Sequence, residues 1–209
     1  MRPSLVIFDL DGTLSDSFPW FLRNLNHVAD TFGFRRVADD EIEPLRHAGT
    51  REILRRLEVP LWKLPRIARH MRRMKAEHIA EIPLFPGVDA MLHALRARDI
   101  TLALVTSDHE SNARAALRDC AALFGHLACG ASIFGKAAKF RAVLRRAGVP
   151  PAQALAIGDE VRDIEAARAA GIPCAAITWG YAAPAALRAM RPDMVFEIVE
   201  EIAERLARA

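Results

Sequence analysis

Leu5-Val6-Ile7-Phe8 runs without interruption into Asp9-Leu10-Asp11-Gly12-Thr13. Four apolar residues ended by charge and glycine read as a strand buried on both faces that leaves a parallel sheet into a loop. Ligands of open α/β sheets gather at the carboxyl ends of such strands. In an extended segment residues two apart point the same way, so Asp9 and Asp11 can address one ligand. Their hard oxygens suit Mg²⁺, and neighbouring carboxylates also suit chemistry in which one attacks while the other moves a proton. A turn or a helix N-cap uses Asp and Gly for local reasons, and this segment alone leaves both readings open.

Working outward, residues 15–85 change to helical periodicity, first through Phe18, Phe21, Leu22, Leu25 and Val28-Ala29, then over about 40–58 and 65–80. Pro60, Pro65, Pro83 and Pro86 punctuate this region, which reads as an all-helical insertion. From Gly87 onward helix and strand alternate. Strands are expected at Ile100–Val105, Leu127–Ala131, Ala154–Ile157 and Pro173–Thr178, and helices begin near Val88, Asn112, Phe140 and Asp163. Pro184–Ala189, Met194–Phe196 and a C-terminal helix follow. The fold class is therefore α/β, a Rossmann-like parallel sheet flanked by helices, with residues 1–14 and 86–209 forming the core and 15–85 a helical cap. The strand ends before Asp9, Thr106, Gly158 and Thr178 would converge on one edge.

The chain of 209 residues carries 29 basic and 26 acidic side chains, a net charge of +3. This near balance favours an anionic small molecule only weakly and does not establish nucleic-acid binding. The basic stretch Lys63, Arg66, Arg69, Arg72, Arg73 and Lys75 contains no acidic residue before Lys75 and no interleaved aromatic platform for bases. Arg66, Arg69 and Arg73 share a helical face, either as a solvated surface or as a guide for an anionic substrate. Cys120, Cys129 and Cys174 lack metal-site spacing and fit buried thiols of a reducing compartment. No apolar run approaches the roughly 18 residues of a membrane span, so a cytoplasmic protein without membrane contact is expected.

Two further strand ends carry chemistry. Thr106-Ser107-Asp108 offers hydroxyls before a helix, a place for phosphate or simply for a cap. Leu155-Ala156-Ile157-Gly158-Asp159-Glu160-Val161-Arg162-Asp163 again sets two carboxylates beyond a strand, where a cation can be held. Lys136 and Lys139 are candidate cations for a phosphoryl group.

In this order the segments resemble the haloacid dehalogenase superfamily, most nearly its phosphoglycolate phosphatase-like phosphatases. Asp9-Leu10-Asp11-Gly12-Thr13 looks like the nucleophile motif, Thr106 the second motif, Lys136 (or else Lys139) the third, and Gly158-Asp159 with Asp163 the fourth. Phe85-Pro86-Gly87-Val88 resembles the return from a cap. Ser107 stands where many relatives have asparagine, and the Lys-Pro-x-Pro pattern around the lysine is missing. The resemblance implies that Asp9 attacks phosphorus and that Asp11 serves as acid and then base. It implies Mg²⁺ on the Asp9 carboxylate, the Asp11 carbonyl, Asp159 and Asp163, and phosphoryl oxygens on Thr106, Ser107 and Lys136. The partner would be a small phosphorylated metabolite; the oligomeric state is left open. A sugar phosphomutase would use the same core, and a catalytically silent regulatory or interaction protein is the alternative outside enzymology.

Overall fold

The computed structural model describes residues 3–132 and 135–207. Phe134, which precedes Gly135 beside the lysine motif, and the extremities of the expected core lie outside the described residues. Six strands form one fully parallel sheet: β1 (Leu5–Phe8), β2 (Thr101–Val105), β3 (Phe124–Ala128), β4 (Ala154–Gly158), β5 (Cys174–Ile177) and β6 (Met194–Phe196). Their spatial order is β3-β2-β1-β4-β5-β6. β1 is central: Leu5 is in register with Thr101 on one side and with Ala154 on the other.

Every residue of β1 is fully buried, which explains its unbroken apolar sequence. Alternate side chains enter opposite layers. Val6 and Phe8 join Leu102, Leu104 and Ile157 against α5 (Val88–Arg96), α6 (Glu110–Leu117) and α10 (Glu200–Ala207). Leu5 and Ile7 join Ala103, Val105 and Ala156 against α7 (Lys136–Ala147) and α8 (Val161–Ala169). A shorter helix, α9 (Pro184–Ala189), follows β5.

Between β1 and β2 the chain forms α1 (Phe18–Phe32), α2 (Asp39–Arg46), α3 (Thr50–Arg56) and α4 (Leu64–Glu77), with a 3-10 turn at Leu61–Lys63. These helices enclose a small core of their own, Val37, Leu45 and Leu57 with Leu25, Ile42 and Ile53 around them. The two chain crossings run side by side, since Asp16 N–H donates to the Pro83 carbonyl and Phe85 N–H to that of Leu14.

Three expected elements differ most. The helix expected over 40–58 is two helices, because Gly49 is extended (φ −73°, ψ 159°) and starts α3 afresh. β3 begins at Phe124 rather than Leu127, at a sheet edge where Gly125 and His126 weaken the apolar pattern. Helix α7 begins at Lys136 rather than Phe140, directly after Gly135.

Leu92 on α5 is fully buried whereas Leu61 is 65% exposed. Leu92→Ala should therefore cost about 2–5 kcal/mol of stability, and Leu61→Ala no more than about 0.5 kcal/mol. Urea unfolding monitored by circular dichroism checks both.

Candidate active site

The residues after β1, β2 and β4 meet at the carboxyl edge of the sheet. Asp9 follows β1 and is nearly sealed from solvent; its backbone N–H continues the ladder onto the Ile157 carbonyl at 3.0 Å. Asp159 follows β4 and is wholly buried, with Oδ1 accepting from the Thr13 hydroxyl at 2.7 Å and Oδ2 from the Tyr181 N–H at 2.8 Å. Carboxylate oxygens of Asp9, Asp159 and Asp163 all lie within 4.8 Å of one another.

Asp163 has two roles. Oδ2 accepts the Glu160 N–H at 3.0 Å, which caps α8, while Oδ1 accepts from Lys136. Lys136 Nζ also reaches Asp9 Oδ2 at 2.7 Å and is itself buried. Lys139 is directed elsewhere, donating to the Cys129 carbonyl at 3.0 Å.

Close backbone approach makes this possible. A Cβ on Gly12, whose φ is +75°, would lie 2.2 Å from Asp159 Oδ2, and one on Gly158 would lie 2.5 Å from Asp163 Oδ2. Neither position accepts a side chain without displacing a carboxylate.

Burial pushes the Asp9 pKa up to about 6 despite the opposing Lys136 charge. Burial also drives Asp159 well above the usual carboxylate range, with Glu160, Asp9 and Asp163 adding to the effect. For Lys136 burial acts downward, but Asp163 and Asp9 outweigh it and the ammonium is held more firmly. Three carboxylates around one ammonium leave excess negative charge in a buried place.

Asp11 stands apart from this cluster. Its Oδ1 accepts from Lys75 Nζ at 2.5 Å, and the same ammonium donates to Asp108 Oδ2 at 2.8 Å. Lys75 comes from α4 in the insertion and is only 5% exposed. Burial would raise the Asp11 pKa, but the Lys75 charge reverses this and holds the carboxyl below its ordinary value. Lys75 is correspondingly raised by its two carboxylates against the effect of its own burial.

Asp108 Oδ1 accepts from the His109 N–H and from Asn112 Nδ2, both at 2.8 Å, and Asn112 also donates to the Arg72 carbonyl. Thr106 is buried at the end of β2, where its Oγ1 accepts the Asp108 N–H at 3.1 Å. Ser107, next to it, is half-buried.

The expected residues Asp9, Asp159, Asp163 and Lys136 are thus brought together. Lys75, Asp108 and Tyr181 were not anticipated as parts of this place. A signal for Lys75 was present: it continues the stripe Leu64, Ala68, Met71, spaced by four, three and four residues, so it sits on the inward side of α4. Tyr181 gives no such local sign. Its hydroxyl lies 3.0 Å from Ser17 Oγ, and its ring packs against Phe18 and Phe21 with centroids 4.8 and 5.4 Å away. Arg46 of α2 closes the same side, with Nε donating to the Tyr181 carbonyl at 3.0 Å.

Behind Tyr181 and Phe18 an apolar cavity of about 290 Å³ extends into the insertion, lined also by Leu45, Ile53 and Met71. No helix among the described residues is long and apolar enough to cross a membrane.

A parallel sheet that gathers three buried carboxylates and a lysine at its carboxyl edge is the architecture of one hydrolase class. The haloacid dehalogenase-like hydrolase profile matches residues 6–177, and the chain belongs to that family as a phosphoric monoester hydrolase. It is 33% identical over 199 residues to a phosphoglycolate phosphatase of Synechococcus elongatus, covering 94% of each chain. It is 30% identical to a phosphoglycolate phosphatase of Agrobacterium fabrum, over 92% of this chain and 88% of that one. In fold it is similar to a haloacid dehalogenase-like family hydrolase from Streptococcus pneumoniae, with TM-score 0.78, 24% identity and 98% of each chain covered.

Removing Lys75 leaves Asp108 buried without its counter-ion. Lys75→Met should cost about 3 kcal/mol or more in urea unfolding. Combined with Asp108→Asn it should cost less than the sum of the single changes, by at least about 0.5 kcal/mol of coupling.

Proposed function

We propose that the chain is a Mg²⁺-dependent phosphatase that hydrolyses a small phosphomonoester through an aspartyl-phosphate on Asp9. The observation that carries this reading is that Asp9, Asp159, Asp163 and Lys136 form one buried cluster at the carboxyl edge of the sheet, with Asp11 two residues on set apart from it. Asp9 is buried beside Lys136 and two acids, whereas Asp11 is held ionised by Lys75.

In the first step an Asp9 carboxylate oxygen bonds to phosphorus while the bond to the leaving alcohol breaks, and Asp11 gives that oxygen a proton. In the second, Asp11 takes a proton from water as the water oxygen attacks phosphorus and Asp9 departs. Asp11 as held by Lys75 is in the proton-accepting form. Loading it for the first step requires Lys75 to withdraw, as opening of the insertion would allow. Lys136 and the Thr106 and Ser107 hydroxyls would bind the transferring oxygens.

The donor set fits Mg²⁺: all-oxygen, carboxylate-rich and over-negative where it is buried. Asp9, Asp159, Asp163 and the Asp11 carbonyl would hold the ion, which when bound supplies positive charge against the repulsion between nucleophile and phosphoryl oxygens.

Residues 1–14 and 86–209 would act as the catalytic core and 15–85 as a cap hinged near Ser15 and Pro86. The separate cluster around Val37, Leu45 and Leu57 supports that division. Three free thiols, Cys120 among them with burial pushing it up to about 12, suit the reducing cytoplasm.

Phosphoglycolate is the first substrate to try, because it is the one named for the relatives. The apolar cavity beside Tyr181 favours a second reading, a monoester whose alcohol carries a hydrocarbon part. Comparing kcat/KM across both kinds of ester decides between them.

Asp9→Asn should abolish turnover in a folded protein. Retention of more than about one-tenth of the wild-type rate, a barrier change of only about 1.4 kcal/mol, contradicts the nucleophile role, and mass spectrometry of trapped phosphoenzyme tests covalency separately. For Asp11→Asn, the pre-steady-state burst should slow much more with an alkyl phosphate than with a nitrophenyl phosphate, whose leaving group needs little protonation. Equal losses would remove Asp11 from that step.

A further inference from the structure

Helix α4 has a second charged face. With about 100° between successive residues, Arg66, Arg69 and Arg73 lie roughly opposite Lys75 around the helix. On that side they line a pocket of about 510 Å³ together with Lys63, His70, Thr31 and Phe32. No acidic side chain among the described residues lines it.

Elsewhere in the molecule guanidinium groups meet carboxylates: Arg35 pairs with Glu41, Arg36 with Asp30, Arg55 and Arg56 with Glu52, and Arg114 with Glu110. Arg66, Arg69 and Arg73 have no such partner among the described residues, although like charges at these spacings repel. Lys63 adds a fourth cation, anchored by its donation to the Phe32 carbonyl at 2.6 Å. The His70 Nε2 is shut from solvent without a hydrogen-bond partner.

We propose that this pocket is a second anion-binding site, separate from the catalytic cluster, and that it takes a polyphosphate chain. Four cations gathered in one concave place match several phosphate groups better than one. Guanidinium forks pair two oxygens at a time, and each pairing relieves the repulsion among the arginines. A carboxylate metabolite of single charge would leave most of the pocket uncompensated.

The chain could be inorganic or the tail of a nucleoside triphosphate. Trp62, 71% exposed with its ring 5.3 Å from Lys63 Nζ, offers a face on which a base could stack.

The test is calorimetric titration of the full chain with sodium tripolyphosphate. One equivalent should bind, and Arg66→Ser/Arg69→Ser/Arg73→Ser should weaken binding by at least about thirtyfold. Arg69→Ser alone, a single exposed change that leaves the fold undisturbed, should weaken it by about threefold or more. Ser107→Ala, half-buried at the catalytic edge, should leave it within about twofold. Absence of binding at millimolar tripolyphosphate overturns the proposal. So does binding that survives the arginine changes, above all if Ser107→Ala weakens it, because the anion would then occupy the catalytic edge. Tighter binding of a nucleoside triphosphate than of tripolyphosphate, lost in Trp62→Ala, supports the site with a nucleotide as its occupant. Equal affinities support it with the bare polyphosphate.

Discussion

Buried negative charge is the constraint on which this structure turns. Asp9, Asp159 and Asp163 are each almost inaccessible to water, and an ionised carboxylate in such a place is costly unless it is paired. Lys136 answers two of them, and the Thr13 hydroxyl and Tyr181 N–H answer the third. Each of these donors comes from a different part of the chain, so the charge can be accommodated only when the whole carboxyl edge of the sheet is assembled. Packing of β1 between β2 and β4 is therefore a condition of the chemistry as well as of stability.

Much of this was legible because strands buried on both faces have no choice of sequence. Leu5–Phe8, Leu102–Val105 and Ala154–Ile157 are apolar at every position, and the polar residues that end them are conspicuous. The edge strand β3 was misplaced by three residues, since an edge tolerates Gly125 and the half-exposed His126. Asp163 shows why motif and cap readings are hard to separate locally: its two oxygens perform both tasks at once. Lys75 was obscured by its neighbours. Arg72 and Arg73 made the segment look like a solvated surface, and only the helical phase against Leu64 and Met71 distinguishes it.

The insertion touches the core through polar contacts as well as through the packing of Phe18 and Phe21 on Tyr181. Lys75 bridges Asp11 and Asp108, Asn112 of the core reaches the Arg72 carbonyl, and Arg46 holds the carbonyls of Gly180 and Tyr181. Such contacts are specific in geometry and can be exchanged for water more readily than a hydrophobic seam. The helices between the crossings meanwhile keep apolar contacts among themselves.

The central position of β1 also has a consequence for biosynthesis. The strand is made before its neighbours, which begin only at Thr101 and Ala154. At about 5–20 residues per second, β2 follows β1 by roughly 5–20 s. During that interval a wholly apolar strand has two open edges and no sheet, the condition in which nascent chains recruit chaperones or mispair. The insertion, built from contacts local in sequence, can form while the strand waits. Until Asp163 has left the ribosome the cluster of Asp9, Asp159 and Asp163 cannot be assembled.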